Sequence, residues 1–253
     1  MSDHPVTTAI AKVERDGITV RGKSLEDELI GHLTFTEMTY FLCAGAMPTP
    51  AQTRILDACL VTLMEHGWTP SSLIARIMVD SLPDDSQVAV AAGLLSLGPV
   101  YGGTSAACAR LLQQIAAAPD PDGCCAELVA DHRARRATLP GFGHPLHKPD
   151  DPRTPRLLAV AAETGISGTY VHALQRLGKA IDASFGKHVT INATGAIGAL
   201  LLEIGLDPEV MRGLALVSRS SGLVGHIQEE RRTHVARAIW SFAEHEIPYR
   251  DAE

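Results

Sequence analysis

One loop of this chain combines residue types that bind anions and transfer protons. Between Leu139 and Arg156, the sequence LPGFGHPLHKPDDPRTPR sets histidines and cationic side chains among glycines and prolines. A backbone stiffened in this way can hold such side chains towards an anionic ligand. The candidates are His144, His147, Lys148, Arg153 and Arg156. The alternative interpretation is an exposed loop with solvated charges, in which Asp150 and Asp151 partly cancel the bases.

Two further segments offer polar or glycine-rich surfaces. Arg219, Gly222 and His226 recur at i, i+3 and i+7 of a predicted helix, so they share one of its faces. A polar stripe with a glycine gap suits a ligand, although an arginine considered alone is more typical of a surface ion pair. The segment GPVYGG at residues 98–103 is a second glycine-rich turn. Its backbone can approach a ligand closely, but a plain turn between helices explains it equally well.

The elements that position these groups are predicted to be helices. Aromatic residues make up only 4% of the chain and alternating β-branched runs are almost absent, which favours helix nearly everywhere. The best strand candidate is the short run 18–21. The run 191–204 is apolar on nearly all faces and therefore predicts a helix buried by its neighbours.

One predicted helix ends close to a further histidine. Thr49 is its predicted N-cap, Pro50 takes the first helical position and Gln52 completes a capping box. Gly67 is expected to stop the helix, which places His66 in the last turn. A lone histidine at such a place is more typical of a cap or a core position than of a catalyst.

Composition excludes several classes of protein. No run approaches the ~20 apolar residues of a membrane span, and the N-terminus lacks the pattern of a secretory signal. The five cysteines show no CxxC spacing, which argues against disulfides and zinc and fits the cytoplasm. The net charge of −7 argues against a nucleic-acid partner. Motifs of serine hydrolases, zinc proteases, P-loop NTPases and dinucleotide-binding enzymes are missing.

Five segments, taken in chain order, resemble the citrate synthase superfamily. Within it, the resemblance is to short bacterial proteins similar to citryl-CoA lyase and to the lyase part of ATP-citrate lyase. The segments are VRGKSLEDELIGHLTFTEMTYFLCAGAMPTPAQ, GPVYGG, LPGFGHPLHKPDDPR, INATGAIGALLLEIG and SRSSGLVGHIQEER. This resemblance implies an all-α fold with a large and a smaller helical domain and a cleft between them. The small domain would comprise residues 104–192, inserted between the two parts of the large domain, 1–103 and 193–253.

The same resemblance implies an acyl-CoA and an oxo-acid as ligands, with no tightly bound cofactor and no metal. His144, in the GFGH motif, would act on the hydroxyl or carbonyl of the oxo-acid end of the substrate. Arg153 and Arg219 would bind carboxylates, and His66 and Asn192 complete the predicted substrate-binding set. The CoA moiety is expected near residues 139–148. The predicted CoA-binding residues are Gly141, Phe142, Gly143, His147 and Lys148.

Two positions depart from the synthases and favour cleavage over condensation. Tyr101 stands where synthases carry a histidine that donates a hydrogen bond to the thioester enolate; a phenol can still donate, and the lyase relatives have an aromatic residue there. Thr194 replaces the aspartate that moves the proton at the acetyl methyl group, and a threonine does not titrate near neutral pH. Cleavage begins instead at the substrate hydroxyl, where His144 would be the base. Tyr101 and Thr194 would then steady the enolate.

The sequence therefore predicts a carbon–carbon lyase that cleaves a 3-hydroxy-3-carboxyacyl-CoA, such as citryl-CoA, to acetyl-CoA and an oxo-acid (oxaloacetate). One alternative keeps the fold but makes the protein an acyl-CoA aldolase, decarboxylase, thioester hydrolase or condensing enzyme on another substrate. A second is a protein that binds CoA esters without catalysis. The family forms dimers through buried helices, so a homodimer or higher homo-oligomer is expected.

Overall fold

The computed structural model describes residues 6–98 and 104–251, which leaves Tyr101 outside the described residues. The described part is mostly helical, as predicted, with eleven α-helices. They are α1 (Phe35–Ala44), α2 (Pro50–Met64), α3 (Pro70–Ser81), α4 (Ser86–Leu95), α5 (Thr104–Ala117), α6 (Pro121–Ala134), α7 (Arg153–Glu163), α8 (Thr169–Phe185), α9 (Ala193–Glu203), α10 (Pro208–Thr233) and α11 (Val235–Glu246). None of the described helices is long and apolar enough to span a bilayer.

A small antiparallel sheet precedes the helices. Strands β1 (Ala11–Glu14), β2 (Gly17–Val20) and β3 (Lys23–Ser24) pair in chain order, and one turn of π-helix, Leu25–Leu29, follows. The predicted strand at 18–21 is therefore present, one residue earlier. Its partner β1 was not predicted, because its charged, fully exposed sequence AKVE lacks the alternation of a half-buried strand.

Helix α2 has the predicted start but a different end. The Gln52 backbone N–H donates to Thr49 Oγ1 at 3.3 Å, and the Gln52 side chain accepts from the Thr49 backbone at 2.9 Å. The helix ends at Met64 because Glu65 adopts an extended conformation. His66 therefore lies in the turn after the helix, and its predicted place in the last helical turn was wrong.

The apolar run predicted to be a buried helix forms α9, at the centre of the molecule. Of its residues Ala193–Leu202, all but Thr194 are buried. Two glycines let other backbone segments approach the helix closely. A Cβ on Gly195 would lie 2.6 Å from the Gly141 carbonyl oxygen, and one on Gly198 would lie 2.7 Å from that of Ser105. The helix thus meets α5 on one side and the GFGH loop near its N-terminus.

A third glycine brings α10 against the end of α2, and its replacement is expected to be costly. A Cβ on Gly222 would overlap the Met64 carbonyl oxygen, so Gly222→Ala forces the two helices apart. We expect the free energy of unfolding, measured by urea denaturation, to fall by about 1–3 kcal/mol. The matched control is Gly213→Ala on the same helix, where a Cβ meets nothing within 4 Å and stability should rise by up to about 1 kcal/mol. Equal effects of the two changes would contradict the close helix contact.

Candidate active site

The GFGH loop is held in place by the segment that leads into α9. The Gly143 backbone N–H donates to Thr190 at 2.7 Å, and the Asn192 side-chain amide donates to the Gly143 carbonyl at 2.8 Å. Gly141 has φ +87°, and a Cβ there would lie 2.6 Å from Cys108 Sγ. Gly141 and Phe142 are buried and support the loop, and their contact with a CoA ester stays a prediction. Lys148, by contrast, is exposed.

Three histidines meet at this loop, two from the loop itself and one from another segment. The rings of His144 and His147 stack with their centroids 4.3 Å apart. His66, from the turn after α2, lies edge-on to both rings at 5.7 and 5.6 Å. Its Nε2 is 3.4 Å from Nε2 of His147. His147 therefore lies beside the two histidines assigned to the oxo-acid, and its contact with CoA stays a prediction.

The hydrogen bonds of His144 determine which of its nitrogens carries a proton. Its Nδ1 accepts from the backbone N–H groups of Leu146 at 3.1 Å and His147 at 2.9 Å. A nitrogen that accepts these bonds is unprotonated, so the proton of the neutral ring is on Nε2. His144 therefore offers the site a hydrogen-bond donor. This assignment disagrees with its predicted role as the base, since a protonated Nε2 has no lone pair to accept the hydroxyl proton.

Arg153 is positioned by a buried carboxylate. Asp151, whose side chain is fully buried, accepts from Arg153 Nε at 2.9 Å and Nη2 at 2.8 Å, and also from the Ala193 backbone at 2.9 Å. Burial alone would raise the pKa of Asp151, but these hydrogen bonds outweigh it and lower the pKa far below its usual range. Asp151 is therefore too weak a base to replace the missing aspartate. Within the described residues, Arg153 Nη1 carries no hydrogen bond.

Arg219 enters the site from α10 with its charge largely unpaired. Its Nη1 is buried and has no hydrogen-bond partner among the described residues. Burial lowers the pKa of Arg219, and the nearby Arg153 adds to the effect, whereas Glu65 opposes it. A buried donor without a partner is costly, so this group is suited to an anionic ligand.

Glu65 and His226 hold the turn that carries His66. The Glu65 carboxylate accepts from the backbone N–H groups of His66 and Gly67 at 2.9 and 2.6 Å. His226 Nε2 lies 2.9 Å from that carboxylate, and its Nδ1 accepts from the buried Arg76 at 2.9 Å. The stripe of Arg219, Gly222 and His226 on α10 therefore serves two purposes. Arg219 faces the site, while the other two members support the His66 turn.

Asn192 and Thr194 are engaged in a chain of hydrogen bonds. Thr104 Oγ1 donates to Thr194 Oγ1 at 2.9 Å, which donates in turn to Asn192 Oδ1 at 2.7 Å. The Asn192 amide nitrogen holds the GFGH loop, so this side chain positions the loop instead of offering the substrate contact expected of it. Because the Thr194 hydroxyl donates to Asn192 here, its predicted hydrogen bond to an enolate would require this hydroxyl to rotate. Tyr101, the other predicted donor, is not among the described residues.

The site as a whole favours anions. Burial lowers the pKa of His66, and the nearby guanidinium groups of Arg153 and Arg219 lower it further. Burial and His147 likewise lower the pKa of His144. Both imidazoles are therefore neutral at pH 7 and stand beside two guanidinium groups. A ligand that carries carboxylates would relieve this accumulation of positive charge.

The three histidines also have the proximity of metal ligands, with one ring nitrogen of each within 4.8 Å of the others. The donor chemistry does not fit a three-histidine metal site. A metal-bound histidine normally donates its second N–H to an acceptor, but Nδ1 of His144 is itself held by two donors. The two nearby arginines would moreover repel a divalent cation.

A small cavity of about 40 Å³ lies beside Thr194 and Arg219. This volume accommodates a few water molecules. The walls contributed by the described residues are largely apolar. They comprise Leu63, Leu97, Ser105, Thr194, Arg212, Ala215, Leu216 and Arg219.

Sequence reasoning missed Asp151, Glu65 and Thr104. Asp151 was interpreted as a solvated charge, and Glu65 and Thr104 were not singled out. The nearest signal was the spacing of Asp151 and Arg153 across a proline at a helix start, where a carboxylate can cap the helix and bind the arginine together.

The matched family model, "Citrate synthase, C-terminal domain", covers residues 46–240. The chain belongs to the citrate synthase family. Citryl-CoA lyase from Hydrogenobacter thermophilus is similar in structure, with a TM-score of 0.87 and 29% identity over 99% of this chain and 96% of that one. ATP citrate lyase from Methanosaeta concilii, in complex with (3S)-citryl-CoA, shares the fold at a TM-score of 0.82, with 20% identity, 100% coverage of this chain and 43% of that one.

Among curated relatives of this citrate synthase family member, the citrate synthase of Acidithiobacillus ferridurans is 24% identical over 196 residues, 75% of this chain and 50% of that protein. The chain spans about half the length of the curated relatives it matches first.

Proposed function

We propose that this protein is a carbon–carbon lyase that cleaves a 3-hydroxy-3-carboxyacyl-CoA, such as citryl-CoA, to acetyl-CoA and oxaloacetate. The observation that carries the proposal is the pairing of two guanidinium groups with neutral histidines. Arg219 Nη1 is buried without a partner, and Arg153 is oriented by Asp151. Each is suited to one carboxylate of a substrate, and His144 would donate to the oxygen between them.

Two features favour cleavage over condensation. Condensation requires a base at the thioester α-carbon, but Thr194 does not titrate there, and the strongly lowered pKa of Asp151 makes that carboxylate a poor base. The likeness to citryl-CoA lyase also extends over nearly the whole of both chains. The small apolar cavity beside Thr194 suits a two-carbon acyl group.

The family likeness supports four further parts of the proposal. The small domain, residues 104–192, would close on an acyl-CoA lying in the cleft with the large domain, and no tightly bound cofactor would be needed. Lys148 and the backbone of Gly143 would contact the CoA moiety. The protein would act as a homodimer or higher homo-oligomer.

The test is direct turnover. Purified protein mixed with citryl-CoA, malate dehydrogenase and NADH should oxidise NADH as oxaloacetate is released, and mass spectrometry should find acetyl-CoA. Free CoA with citrate would indicate a thioester hydrolase instead. Binding of CoA esters without any product would favour the non-catalytic alternative, and either result would contradict the proposal.

A further inference from the structure

The hydrogen bonding of His144 leaves the proposed reaction without its base. Cleavage needs a group that accepts the hydroxyl proton, and His144 Nε2 already carries one. Thr194 and Asp151 are unsuitable for the reasons given above. Among the residues that the structure describes, the remaining candidates are the two histidines whose Nε2 atoms lie 3.4 Å apart, His66 and His147.

That contact requires one nitrogen to be protonated and the other to be unprotonated. At 3.4 Å it is longer than an ordinary N–H hydrogen bond, so a substrate hydroxyl can displace it. The stacking of His147 on His144 sets the two rings side by side at the same opening. Two hydrogen bonds of about 2.8 Å to one tetrahedral oxygen separate their outer atoms by about 4.6 Å. One ring nitrogen of each histidine lies within 4.8 Å of one ring nitrogen of the others, a separation that one bridging oxygen can span.

The surroundings of His66 oppose its protonation. Partial desolvation and the positive charges of Arg153 and Arg219 both disfavour an imidazolium at this position. A neutral His66 that donates from Nε2 keeps Nε2 of His147 unprotonated. We propose that His147 is the catalytic base that removes the substrate hydroxyl proton, while His144 donates to the same oxygen. This inference rests on the proposed lyase function.

The proton and electron balance of the step is complete without a further reactant. The O–H bond breaks as an N–H bond forms at His147, and the oxygen electron pair forms the C=O bond of the oxo-acid. The bond between the hydroxyl-bearing carbon and the thioester α-carbon breaks, and its electron pair enters the thioester enolate. The enolate carbon takes a proton from water, and the imidazolium returns its proton to the resulting hydroxide.

The test compares His147→Gln with His172→Gln, which removes an exposed histidine on α8. We expect His147→Gln to lower kcat for citryl-CoA cleavage about 100-fold with little change in KM, whereas His172→Gln should resemble the wild type. The fall of wild-type kcat at acidic pH, caused by protonation of the base, should disappear in His147→Gln. Imidazole added to His147→Ala should restore part of the rate in proportion to its neutral form.

Each failure has a distinct signature. If His147→Gln retains kcat within threefold and keeps the acidic fall, the lyase stands and the assignment of His147 is wrong. If His147→Ala and His147→Gln are folded by circular dichroism but imidazole restores nothing and the acidic fall persists, His147 has a structural role and the proposal is overturned. If the wild type releases no acetyl-CoA, the proposed function itself fails, and this inference with it.

Discussion

Replacement of Arg219 by methionine is expected to make the protein more stable and almost inactive. In the ligand-free protein, Nη1 of Arg219 is buried without a hydrogen-bond partner among the described residues. An unsatisfied buried donor costs about 1–3 kcal/mol, and methionine fills a similar volume without a polar group. For a chain of this size, each kcal/mol gained raises Tm by roughly 2–4 °C. Thermal unfolding monitored by circular dichroism measures this gain.

The same change removes one of the two groups proposed to hold a substrate carboxylate. Loss of one partner of a buried charge pair costs about 2–5 kcal/mol of binding, so kcat/KM for citryl-CoA should fall by roughly 30-fold to 5,000-fold. Arg110→Met is the matched control, because Arg110 is exposed and pairs with Glu209 on the surface. It should alter neither activity nor Tm appreciably. A variant at position 219 that loses stability, or keeps its activity, would contradict the assignment of Arg219 to a ligand.

The fold was largely predictable because its signals are local. The capping box of Thr49 and Gln52 and the all-round apolar run of α9 each lie within one element, and both are present as expected. The end of α2 was not predictable in the same way. Gly67 is a normal stop signal, but the carboxylate of Glu65 binds the backbone of the next two residues and ends the helix two residues earlier.

The sequence motifs pointed to several residues that lie near one another, but not to their protonation states or to the hydrogen bonds that position them. The structure places His66, His144, Arg153 and Arg219 near one another, and their roles toward a substrate stay predictions. The roles of the side chains depend on hydrogen bonds that no spacing in the sequence reveals. The Nδ1 of His144 accepts from its own loop, and Asn192 uses its amide to hold that loop. The second bond joins two segments that are far apart in the sequence and forms only once the loop has folded against the start of α9.

These supports explain how a neutral donor and two cations can occupy one small site. Like charges repel, so the ligand-free protein needs carboxylates nearby that do not block the opening. Asp151 accepts hydrogen bonds from Nε and Nη2 of Arg153. Glu65 lies near Arg219 and also binds the backbone of the His66 turn. The two carboxylates therefore offset part of the positive charge of the arginines and, within the described part of the chain, leave Nη1 of each guanidinium free for a ligand. The substrate-facing edge stays cationic.

The Asp151→Asn variant is expected to lose both stability and substrate affinity. Asp151 binds Arg153 and the first turn of α9. In Asp151→Asn, the guanidinium of Arg153 loses its charged partner, and the Ala193 backbone N–H faces a neutral amide. Breaking a buried ion pair costs about 3–5 kcal/mol, which urea denaturation at pH 7 would measure. KM for citryl-CoA should also rise, because Arg153 is no longer oriented. The control is Asp150→Asn, the exposed neighbour that pairs with His188, which should cost less than about 1 kcal/mol.

The pH dependence gives this prediction a second check with a definite sign. The folded-state pKa of Asp151 is lowered, so the stability that it contributes is complete above its unfolded pKa of about 4 and is lost as the pH falls towards the folded value. The difference in unfolding free energy between the wild type and Asp151→Asn should therefore shrink by about 1 kcal/mol between pH 5 and pH 3. The difference between the wild type and Asp150→Asn should change much less, because that carboxylate is exposed. If the difference in unfolding free energy between the wild type and Asp151→Asn stays constant from pH 5 to pH 3, the carboxylate charge does not hold Arg153 in place.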